Sequence, residues 1–232
     1  MNYKRYWGII LYFIIITVMI IYFSACNDLF VISNPPDSNK TSVSFKNDGG
    51  QNTPLNQVTV SDAKALVTQV ELETGGQVED NEITKGPFVV NFILNGTIAT
   101  VDTGSIPDGD FVKVKYNIHK PDDNEIPPDP EFRDGSNSSQ RYSFIIKGFV
   151  NGNSFIYKSR QSINIIITLD KMISLTNNKL NVTVLFNSNS WFVSNGTVLD
   201  PRDPGNSSTI DDNIKNSFRR AFRDNDMNGI PD

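Results

Sequence analysis

Oxygen-bearing side chains fall at alternate positions in one short segment, Asp224-Asn225-Asp226-Met227-Asn228-Gly229-Ile230-Pro231-Asp232. Oxygens spaced this way can converge on one hard cation such as calcium, and a glycine after the third of them permits the sharp turn that convergence requires. Asp224, Asp226, Asn228 and Asp232 are the candidate ligands. A second candidate is Asp102-Thr103-Gly104-Ser105, in which Asp102 would be one of two carboxylates sharing a proton. Trp191-Phe192-Val193, followed by Asn195-Gly196-Thr197, offers either an aromatic platform for a sugar or a core aromatic cluster. The stretch from Pro121 to Glu131 holds Asp122, Asp123, Glu125, Asp129 and Glu131, which could gather a cation or form a solvated acidic loop.

The calcium-like segment resembles the EF-hand loop and the calcium repeats of thrombospondin type 3 and related bacterial wall proteins. That resemblance implies ligand roles for Asp224, Asp226, Asn228 and Asp232. An EF-hand closes with a bidentate acid at its twelfth position, and this sequence ends three residues earlier, so weak calcium binding is expected unless another segment supplies oxygens. The acidic stretch 122–131 is the candidate donor. Asp102 to Ser105 resembles the signature of aspartic proteases, including the short viral type that works as a dimer. It occurs once here, and the chain turns again at Ile106-Pro107-Asp108-Gly109. This continuation into Phe111 resembles instead the corner before a strand in transthyretin-like and immunoglobulin-like sandwiches of bacterial surface proteins.

Lys4 and Arg5 precede an apolar run over residues 6–23 that ends in Phe23-Ser24-Ala25-Cys26, the layout of an export signal. It resembles a bacterial lipoprotein signal peptide with its lipobox, which implies acylation of Cys26. A retained signal anchor is the alternative, since the run is just long enough to span a bilayer. Cys26 is the only cysteine, so the body has neither a disulfide nor a thiolate metal site. Two or more acyl chains would hold the protein on a membrane. His119 is the only histidine, which excludes a histidine-rich metal site. Beyond the signal, 19 of the 21 basic residues face all 26 acidic ones, and no basic stripe suits a nucleic acid.

These segments must be positioned by β-structure. Alternating or β-branched runs at Ala65–Leu72, Phe88–Leu94, Thr97–Val101, Phe111–Ile118, Tyr142–Val150, Ser154–Tyr157, Ile163–Leu169 and Leu180–Phe186 predict an antiparallel β-sandwich of about seven or eight strands. Asn151-Gly152 predicts a tight hairpin. Ile210, Ile214, Phe218 and Phe222 at i, i+4 spacing predict an amphipathic helix from Ile210 to Phe222, capped by Ser208 or Thr209. The resulting organisation is a signal peptide over 1–25, a flexible tether over 26–55, the sandwich over 56–200, and a helix with an acidic tail over 201–232. Leu29–Ile32 and Val43–Phe45, apolar interruptions of the tether, receive no assignment.

The whole resembles exported lipoproteins of the bacterial cell envelope, anchored to a membrane, with the outer membrane or cell surface favoured. The expected function is non-enzymatic: a binding module for a glycan or protein, or a structural component of the envelope, with calcium as the candidate stabilising ion in either case. An aspartic protease using Asp102 in a dimer is the alternative.

Overall fold

The computed structural model describes residues 41–49, 57–75, 81–83, 87–104, 108–134, 140–175 and 180–232. Cys26, the apolar run before it, the tether up to residue 40, and Ser105 to Pro107 lie outside the described residues. The chain is mainly β with one short helix. Its strands are β1 (Thr41–Asn47), β2 (Val58–Thr74), β3 (Asn81–Ile83), β4 (Phe88–Asn91), β5 (Ile98–Gly104), β6 (Gly109–Ile118), β7 (Phe144–Val150), β8 (Asn153–Ser159), β9 (Ile163–Leu175), β10 (Leu180–Phe186), β11 (Val193–Ser194), β12 (Thr197–Val198) and β13 (Phe218–Arg223). The helix α1 (Ser207–Ser217) precedes β13.

Each of the eight predicted strands has its counterpart, because period-2 alternation places one face of each in the core. In β6, Val114, Tyr116 and Ile118 are buried while Lys113, Lys115 and Asn117 stay partly exposed. Phe111, not Val112, completes the buried set, because the pairing with β9 shifts register between Phe111 and Lys113. Asn151 and Gly152 adopt φ of 50° and 78° and join β7 to β8, as a two-residue hairpin requires.

The hydrogen-bonded strands run in the order β5-β1-β10-β13-β9-β6-β2-β7-β8, with β3 and β4 also on β2. This sheet curls into a sandwich-like arrangement in which β1 meets β6: the rings of Phe45 and Tyr116 are 5.4 Å apart. Phe92 lies between Phe144, Phe186 and Phe45 at 5.3, 5.0 and 5.5 Å. Aromatic pairs in such offset and edge contacts add about 0.5–1.5 kcal/mol each beyond their burial.

Three expectations are corrected. Thr41–Asn47, inside the predicted tether, is a sheet strand: Val43 and Phe45 enter the core, and β1 pairs with both β5 and β10. The sheet is mixed, since β1 runs parallel to β10 and β13 parallel to β9. The helix ends at Ser217, because Phe218 turns to extended backbone and residues 218–223 fill the gap between β10 and β9. Ile210 and Ile214 face the core as a helical stripe should, whereas Phe218 and Ala221 reach it from a strand and Phe222 is buried on the opposite face. Cross-strand pairing overrode the helical spacing.

The proline-rich stretch after β6 is a packed cover. Phe132 is fully buried with Leu66, Tyr142 and Ile145 on the outer face of β2 and β7. Lys64, itself buried, pairs with Asp129 and Glu131, and the Glu131 carboxylate takes further hydrogen bonds from Lys147 at 2.8 and 2.9 Å. Those bonds, from Lys147 first and Lys64 second, hold the Glu131 pKa at about 2 against an ordinary 4.5, with burial acting in the opposite direction. An acid depressed in the folded state adds stability above its unfolded pKa and loses it as pH falls through the folded value. The stability difference between wild type and Glu131→Gln in urea melts is therefore expected to shrink as pH falls from about 4.5 to about 2. A difference unchanged across that range would contradict the pairing.

Candidate metal centre at the C-terminal loop

Where β13 ends, the chain doubles back over the outer face of β1 and β10. Val43, Phe45, Val182 and Val184 of these strands face the core, but the residues between them, Ser42, Ser44, Asn181 and Thr183, are small and polar yet also buried. Asn181 organises them: its Oδ1 accepts from the hydroxyls of Ser42 at 2.7 Å and Ser44 at 2.9 Å, and its Nδ2 donates to the Asp224 carbonyl at 2.8 Å. The Asp224 N–H returns a bond to the Asn181 carbonyl at 2.9 Å.

This places the Asp224 carboxylate in the interior, at 0% exposure. Its Oδ2 accepts from the Thr183 hydroxyl at 2.6 Å and the Gly229 N–H at 2.9 Å; its Oδ1 accepts from the Asn228 N–H at 3.0 Å. The loop closes around these bonds through left-handed backbone at Met227 (φ 55°) and Gly229 (φ 77°). Lys46 Nζ donates to the Gly229 carbonyl at 3.2 Å. The tail is thus docked on the sheet.

Asp226 is more exposed and accepts from the Asn228 side-chain amide at 2.7 Å. Asn228 Oδ1 accepts from the Ile230 N–H at 2.7 Å. Asp232 returns to the start of the loop, where its Oδ2 accepts from the Asn225 N–H at 2.9 Å and lies 3.8 Å from Arg223 Nε. One carboxylate oxygen from each of Asp224, Asp226 and Asp232 falls within 4.8 Å of the others. The cluster could bind a metal. Asp224 Oδ1 and Asn228 Oδ1 each take one of the bonds above and keep a lone pair, so four side chains can offer oxygen ligands. An all-oxygen set suits a hard cation, with water completing the six to eight ligands calcium takes.

The other candidates separate from this centre. The acids of the 122–131 stretch do not complete it: Asp129 and Glu131 pair with Lys64, Glu131 also with Lys147, and Asp123 with Arg141 at 2.6 Å. Trp191 is not a platform. It is wholly buried, stacked on Phe186 at 5.9 Å and edge-on to Phe144 at 5.6 Å, and its Nε1–H donates to Ser217 Oγ at 2.9 Å. Its burial follows from where α1 ends, since Ser217 closes that helix and supplies the acceptor. Asp102 lies within edge strand β5, opposite Ser42 on β1, so the first three residues of the protease-like signature are in a strand, and Ser105 lies outside the described residues. Asn181 and Thr183 were missed in the sequence. Their signal is the alternation of Ser42 and Ser44 with Val43 and Phe45, and of Asn181 and Thr183 with Val182 and Val184, which by itself reads as a wet face.

No family model matches the chain, and no curated protein matches it in sequence. Among solved structures it is similar to MbnP from Methylosinus trichosporium, at 14% identity and a TM-score of 0.43, over 73% of this chain and 86% of that one. Among the described residues, no helix is long and apolar enough to cross a membrane.

Because Asp224 is buried and accepts three hydrogen bonds, it anchors the loop with or without a metal. Thr183→Val removes its hydroxyl donor at nearly constant shape and is expected to cost about 1–3 kcal/mol, as for other hydrogen bonds to buried charged groups. The comparison is made by denaturant melts in chelator, where Asp226→Asn is expected to change little. Equal stability of Thr183→Val and wild type would contradict the anchoring role.

Proposed function

We propose that this protein is an exported, lipid-anchored, non-enzymatic binding or structural module of the bacterial envelope, whose C-terminal loop holds a calcium ion. The convergence of Asp224, Asp226 and Asp232 within 4.8 Å carries the metal reading. Three like charges at that separation repel unless a cation or hydrogen-bond donors offset them, and the ligand atoms they offer are hard oxygens. The anchor rests on the residues before and at Cys26, and the binding or structural role on a β-body that this anchor would hold outside the membrane.

Calcium binding to the folded form alone raises the melting temperature by mass action. The full chain in detergent is melted with calcium and with chelator, beside Asp226→Asn, which removes a ligand charge without touching the buried anchor. A rise of several degrees in calcium that Asp226→Asn loses is the expected result; identical melts would overturn the metal reading. Cys26→Ser is expected to abolish incorporation of labelled palmitate into the protein in cells. Absence of label in the wild type, or equal labelling of Cys26→Ser, would overturn the lipid anchor.

A further inference from the structure

Beside the loop, a cleft of about 450 Å³ opens between β9 and β13. Its origin is a failure of pairing. The two parallel strands meet at one register pair, Leu169 with Ala221, and then part: β13 continues along β10, and β9 along β6. The β9–β6 register steps from Thr168 opposite Lys113 to Ile173 opposite Phe111, so Leu169–Met172 form a wide bulge against Val112. Alternation breaks there, and Asp170, Lys171 and Met172 are all exposed in succession. At the far end the Asp232 N–H donates to the Arg223 carbonyl at 3.1 Å and closes the cleft.

The walls combine apolar and cationic groups. Met172, 60% exposed, and Phe222 provide the apolar surface, with the Arg220 guanidinium 5.1 Å from the Phe222 ring centre. Arg220 is partly neutralised by Asp170. Arg223 is 3.8 Å from Asp232, and Lys171 has no ion-pair partner among the described residues. Three cations against two acids line this cleft in a chain whose net charge is −5. A bulge that re-aims side chains, a volume suited to a small ligand and a local excess of positive charge occur together.

We propose that this cleft binds an acidic peptide in extended conformation, its main chain along the bulged Leu169–Met172 segment and its carboxylates against Lys171, Arg220 and Arg223. Beyond Leu169, where β13 no longer pairs with β9, residues 170–172 offer main-chain partners, and the cationic walls select the ligand's charge. This goes beyond the metal reading and does not depend on it.

The test is fluorescence anisotropy of the full chain with a fluorescein-labelled hexapeptide of alternating leucine and aspartate, in chelator so that no calcium contributes. Binding is expected for this peptide and not for its leucine–lysine counterpart. Lys171→Glu, at an exposed position, is expected to weaken binding about tenfold; adding Arg223→Glu is expected to abolish it. Melts of both variants report whether the tail stays folded, and Lys171→Glu alone decides the matter if Arg223→Glu disturbs it. No binding, or equal binding by Lys171→Glu, would overturn the proposal. Displacement of the peptide by hexanoate at equal concentration would also overturn it, because a lone carboxylate would then suffice without a strand.

Discussion

Asp224 is fully buried, and a carboxylate is tolerated there only when donors surround it. The Thr183 hydroxyl and the N–H groups of Asn228 and Gly229 are those donors, one from the sheet and two from the loop. Thr183 requires β10 at the correct register beside β13; the two amides require the loop to turn through Met227 and Gly229. Asn181 then links the same point to Ser42 and Ser44 of β1. Removing one of the three donors leaves a buried charge short of a partner, so β10 and the acidic loop are held to each other through that carboxylate, while Asn181 fixes the backbone of the same residue.

Much of the fold was legible because its strands alternate. The eight predicted strands depend on local pattern, and Asn151-Gly152 marks its hairpin through backbone conformation alone. What was not legible depends on pairing across long separations. Thr41–Asn47 is short, polar on one face and embedded in a tether-like composition, so only its pairing with β10, far away in sequence, reveals a strand. Phe218 and Phe222 continue a helical spacing that Ile210 and Ile214 begin, and no local rule marks the change at Ser217.

The acidic loop shows the same division. Alternate oxygens and Gly229 were readable, and the structure brings Asp224, Asp226 and Asp232 together. Their unequal roles were not readable. Asp224 is interior and anchors the turn, whereas Asp226 and Asp232 are more open, and that difference arises from Thr183 and Asn181 on a remote strand. At Trp191 the sequence left a platform and a core aromatic cluster open, and the structure gives the core cluster, the indole N–H meeting Ser217 where α1 ends. The acidic, proline-rich stretch became a cover for Phe132 because Lys64 and Lys147 lie beneath its acids.

Amide hydrogen exchange at Asn228 and Gly229 examines the anchored loop most directly. Both N–H groups donate to Asp224, so they are expected to exchange slowly in chelator and more slowly still in calcium. Exchange at free-chain rates in both conditions would contradict a folded, cation-binding loop.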